Sequence, residues 1–144
     1  MKFWQSFSKS AIKRQFFFGL FLFAVMIPLA ILDSNTQVKV SFNDISVFIK
    51  SDKYTMEIPY DIIESANLED LAEPGERVQN SYDNDVLRAG IWENDTWGQY
   101  HIAADLDADK CIVAHLTDGR TFVFNSKNDE KTETIFAELQ TYLD

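Results

Sequence analysis

The chain has one cysteine, Cys111, five glycines, three prolines and few positive charges in its 144 residues. One cysteine excludes an internal disulfide and any cysteine-rich zinc site. So few glycines leave no phosphate-cradling loop, and there is no Gly-x-Ser-x-Gly nucleophile elbow. Thirteen Lys and Arg against 23 Asp and Glu give a net charge of −10. Nucleic-acid backbones need surplus cation, so no nucleic-acid partner is expected. The 46% hydrophobic content excludes wholesale disorder, and the length is that of one domain.

Charge is also missing locally. From Gln15 to Leu32 no residue is ionisable, and the 17-residue run Phe16–Leu32 reads FFFGLFLFAVMIPLAIL. As a helix it covers roughly 25 Å, short for a bilayer core but workable with Trp4 and the lysines at the interface. Pro28 lies near its far end, where a kink costs least. A buried helix of a soluble fold would show a polar face, and this run has none. A cleaved signal peptide would show small residues at −3 and −1, and no such site surrounds Ala30 or Asp33. The expectation is a permanent transmembrane helix over residues 16–32 that meets the bilayer directly.

Lys2, Lys9, Lys13 and Arg14 precede the run, whereas only Lys39 and Lys50 follow closely. This bias predicts a basic cytoplasmic segment over 1–15 and an extracytoplasmic remainder. Phe3, Trp4, Phe7, Ala11 and Ile12 fit one face of an interfacial helix, and a frayed basic tail fits as well. Beyond residue 32, nine cations face 23 acids, a charge of −14. An acidic bilayer repels such a surface, so tethering falls to the helix.

After a short linker, 33–36, residues 37–144 read as mainly β with one C-terminal α-helix. Polar and apolar residues alternate over Gln37–Phe42, and further strands are expected over Ile45–Lys50 and Tyr54–Ile58. Pro59 marks an edge or bend. Asp61–Leu68 reads as strand, with helix left open. Glu69–Asp85, rich in acids and holding Pro74-Gly75, reads as an exposed loop. Strand signals return at Val86–Trp92, Trp97–Ala103, Cys111–Leu116 and Thr121–Phe124, with a hairpin turn at Asp118-Gly119. Asn128-Asp129-Glu130 offers an N-cap, and Thr132, Ile135, Phe136, Leu139 and Leu143 form a helical stripe that must pack on the sheet.

This order of elements resembles the pleckstrin-homology-like domains of bacterial membrane proteins. The similarity lies in Tyr54–Tyr60 with Asp61-Ile62-Ile63, in Gly90-Ile91-Trp92 followed by Trp97-Gly98-Gln99-Tyr100, and in Cys111–Asn125 with the closing helix. It covers roughly residues 37–143. The resemblance implies a strongly bent seven-stranded antiparallel sheet or barrel capped by the helix, a preceding anchor, and no enzyme activity. Phosphoinositide-binding relatives carry basic clusters in the first hairpin loop. Asn43-Asp44 and Ser51-Asp52-Lys53 have none, so headgroup recognition does not carry over.

Candidate sites are few. Asp105-x-Asp107-x-Asp109 suggests calcium, but an EF-hand would need Gly and Glu where Lys110 and Leu116 stand. A looser cation site and an acidic solvated turn are the two readings. His101, His115 and Cys111 lack metal-ligand spacing and read as strand residues. Asn94-Asp95-Thr96 is a formal glycosylation acceptor. Trp92, Trp97 and Tyr100 could face a partner or fill the core. The expected function is therefore a non-catalytic, single-pass membrane protein that uses its outer domain for protein interaction or scaffolding, without a cofactor. A cation- or ligand-sensing module on residues 105–109 is the alternative, and a hydrolase a distant third.

Overall fold

Three short strands open the part of the chain that the computed structural model describes, residues 37–144. The expectations for 1–15, 16–32 and 33–36 lie outside the described residues. Among those described, no helix is long and apolar enough to cross a membrane. Thr36–Asp144 form a compact unit of their own.

Strands β1 (Val38–Phe42), β2 (Ser46–Ser51) and β3 (Thr55–Pro59) make an antiparallel meander. Alternation sends Val38, Val47, Ile49, Met56 and Ile58 inward. Asn43 closes the first turn, its Oδ1 accepting from the backbone N–H groups of Ile45 (2.9 Å) and Ser46 (2.7 Å). Pro59 ends β3, which is an edge strand, as a residue without an N–H should. A 3₁₀ turn at Tyr60–Ile62 then redirects the chain into β4 (Ile63–Asp70), which settles the open reading of that stretch as strand.

The second sheet has six strands: β4, β5 (Glu76–Asp83), β6 (Leu87–Asn94), β7 (Gly98–Asp105), β8 (Lys110–Leu116) and β9 (Thr121–Phe124). Their order is β4-β8-β9-β7-β6-β5. Two expectations are corrected here. Part of the supposed Glu69–Asp85 loop is β5. It is an edge strand, exposed along most of its length, and its pairing with β6 slips twice, so no alternation marked it. Among the described residues there are also nine strands in two sheets, where a single seven-stranded antiparallel sheet was expected. One pair, β7 with β9, is parallel, with His101 beside Phe122 and Ala103 beside Phe124. The cause is the link Leu106–Asp109. It spans two strand spacings, about 10 Å, and β9 fills the gap between β7 and β8.

Helix α1 (Asp129–Leu143) starts where expected, with the Asn128 side chain accepting from Lys131 N–H at 2.8 Å. It buries Thr132, Ile135 and Leu139 against β4 and β8. The main core lies between the three-stranded sheet, one face of the six-stranded sheet and α1. A second core covers the opposite face of the larger sheet. Burial on both faces explains why β7, β8 and β9 read as near-continuous apolar runs.

Candidate functional site: a groove beside an open sheet edge

The residues singled out from sequence do not assemble into one site. Asp105 is buried at the end of β7. Its carboxylate accepts from the backbone N–H groups of Asp107 (3.1 Å) and Gln37 (3.3 Å). Burial pushes its pKa up, and those backbone N–H groups oppose the shift. Asp107 and Asp109 are exposed. The N–H groups of Asp109 and Lys110 donate to Asp129 Oδ1 (both 2.8 Å), tying the turn to the start of α1. The three carboxylates do not converge, and among the described residues no group of three metal-ligating side chains could hold an ion.

His101 and His115 belong to β7 and β8, with β9 between them. His101 Nδ1 lies 2.7 Å from the Tyr54 hydroxyl, and its ring stacks on Phe122 at 4.6 Å. Burial and then the Arg120 charge hold its pKa below the usual histidine range. His115 Nδ1 lies 3.2 Å from Thr121 Oγ1. Cys111 is buried in the second core, where desolvation pushes its thiol up to about 12. A thiol held protonated in this way is a poor nucleophile.

Of the two readings of Trp92, Trp97 and Tyr100, core filling holds and an exposed patch does not. Trp92 and Tyr100 are buried and Trp97 is half-buried, all in the second core. Tyr100 donates to the Pro74 carbonyl at 2.7 Å and Trp97 Nε1 to Glu69 at 2.9 Å. Tyr100 thereby pins the 71–75 link over this face of the sheet, and Trp97 ties to β4. In the formal glycosylation acceptor, the Asn94 amide donates to Glu73 O (2.9 Å) and its oxygen accepts from Trp97 N–H (2.7 Å).

The feature that sequence reading missed is a groove of about 890 Å³ where the β3–β4 corner meets the last turn of α1. Pro59, Tyr60 and Ile63 form one side, and Gln140, Tyr142 and Leu143 the other. Tyr60 stacks on Tyr142 at 4.7 Å, and Tyr142 on Phe42 at 5.4 Å. The Tyr60 hydroxyl donates to Asn43 O at 2.8 Å. Desolvation, then the neighbouring Tyr142, raises the Tyr60 pKa. Ile45, also on the wall, is 71% exposed. Asp44, Asp61, Glu64 and Asp144, with Ser65 and Ala66, complete the lining, and no Lys, Arg, His or Cys is among the described residues there. Ile45 alone in a polar turn and Tyr142 off the apolar stripe were the available signals.

The groove runs onto the free side of β4, the terminal strand of its sheet, which among the described residues pairs with β8 alone. Orientation along β4 follows from its hydrogen bonds. Leu71 N–H donates to Asp109 O at 2.7 Å, and the register is unbroken from Ser65 to Asp70. By alternation, residues 65, 67 and 69 bond to β8, while Ala66, Leu68 and Asp70 turn their backbone groups outward. Ala66 O accordingly accepts a long bond, 3.4 Å, from the Gln140 side chain. A cleft that is part apolar and part polar, with aromatic walls, a carboxylate rim and an open strand edge, can bind a chain.

Comparison with protein-family models, with curated proteins and with solved structures returns no match to this chain.

Proposed function

We propose that residues 37–144 are a non-catalytic protein-interaction module, held at the outer face of a membrane by residues 16–32, with the groove beside β4 as its docking face. The observation that carries the reading is the groove itself. It combines exposed apolar surface with outward-turned backbone groups in one place, and these are the two elements by which a domain takes hold of a peptide. The anchor rests on the uncharged run before residue 33 and on the lysine and arginine bias around it. The pleckstrin-homology-like reading is supported by a C-terminal helix packed on β-sheet. The strand number and order depart from it.

A photo-crosslinking residue placed at Tyr142 or Ile45 of the full chain, in intact membranes, tests the proposal. Both positions should capture the same protein, and a probe at the exposed Thr134, on another part of α1, should not. Equal capture at all three positions, or none at the groove, would sink it.

A further inference from the structure

We infer that the groove takes an extended, cationic polypeptide segment, laid as an additional strand along the open edge of β4; this rests on the interaction reading above. The backbone groups of Leu68 and Asp70 are turned toward that edge, and Ala66 offers its N–H and a carbonyl held only by the Gln140 side chain. A segment paired there replaces water on a ladder that already has the correct spacing. Successive side chains of such a segment alternate in direction. Those on the side of Ala66 and Leu68, whose side chains pack with α1 on the main core, run toward Tyr142 and Leu143 and should be apolar or aromatic. The rim sets the charge. Asp44, Asp61, Glu64 and Asp144 line the groove without one compensating cation among the described residues, and Asp70 extends the row along the edge. Lys or Arg at intervals in the partner satisfies that row.

Other occupants fit less well. An anionic bilayer or a nucleic acid is repelled by the rim and by the charge of −14 beyond residue 32. A second copy would set the same carboxylates against themselves. A small amine would use the charge but leave the strand edge unused.

The test uses the full-length protein in uncharged detergent micelles. Three ten-residue peptides are titrated by calorimetry: one alternating Lys with Val and Tyr, its counterpart with Glu for Lys, and the Lys peptide N-methylated at the amides of one edge. The Lys peptide should bind, the Glu peptide should not, and N-methylation should raise Kd about tenfold or more through lost ladder bonds. Neutralising the groove with D61N and E64Q should raise Kd about tenfold. Neutralising two remote acids with D52N and D95N should change it less than twofold, because exposed charges beyond about 8 Å are screened. Equal effects of the two pairs would reduce the binding to general charge attraction and overturn the inference. So would an N-methylated peptide that binds as tightly as its parent. If no peptide binds while the crosslinker at Tyr142 still captures a protein, the cationic strand is wrong and the interaction reading stands. If both fail, both are wrong.

Discussion

Asn125 shows how much one side chain can hold. It is fully buried just after β9. Its oxygen accepts from Asp105 N–H at 2.6 Å, and its amide donates to the carbonyls of Asp105 and Lys110, both at 3.1 Å. It thus fills the gap left where β7 and β8 part around β9. Replacing it with Ala strands three backbone groups, two of them buried, and Asn125→Ala should cost about 2–4 kcal/mol, read from urea denaturation. His101 gives a pH dependence. Its folded pKa lies below the ordinary 6.5 because burial disfavours the imidazolium. The unfolded chain therefore binds the proton more readily, and stability falls as pH drops from 6.5 through the folded value. Melting temperatures measured from pH 8 to pH 5 should fall in that window, and His101→Gln should flatten that part of the curve. Of these residues, the sequence marked both histidines as partly buried strand positions, because each sits in an apolar run. It could not mark Asn125 or Asp105 as a pair, because 20 residues separate them and only the parallel strand brings them together.

Among the elements, α1 was the most legible. Its cap, first-turn acids and apolar stripe all agree, and Asn128→Ala should lower stability by about 1 kcal/mol, measured by thermal denaturation. Strand β5 was the least legible. It was hidden because an exposed, twice-slipped edge carries no hydrophobic period. Its fit depends on Gly90 of β6, whose φ is +98° and whose missing Cβ would run into the Asn80 carbonyl of β5. Gly90→Ala should therefore destabilise by about 2–3 kcal/mol and raise hydrogen exchange in β5 before the rest of the sheet. The groove was invisible for a related reason. It is made by the end of one helix and the edge of one strand, from residues more than 70 positions apart. No local pattern records that meeting.

At the scale of the whole molecule, class was readable and topology was not. Period-2 alternation announced strands, and one amphipathic stripe announced the helix. Which strand neighbours which depends on a short link too wide for a hairpin, a matter of three-dimensional closure. Because Thr36–Asp144 close on their own core, that part expressed alone should stay dissolved and melt in a single transition by circular dichroism. The full chain should sediment with membranes.

The late arrival of β8 and β9 has a kinetic consequence. Each pairs with one strand made earlier and not adjacent in sequence: β8 with β4, and β9 with β7. Until the last quarter of the polypeptide, from Lys110 onward, has emerged, the larger sheet exists only as the separate pieces β4 and β5–β7. Such distant pairings close slowly. Under the proposed orientation, a chain threaded through a translocation channel would remain unable to complete its sheet until nearly all of it had crossed. Slow closure would then keep the polypeptide fit for export, where an early-folding domain would jam the passage.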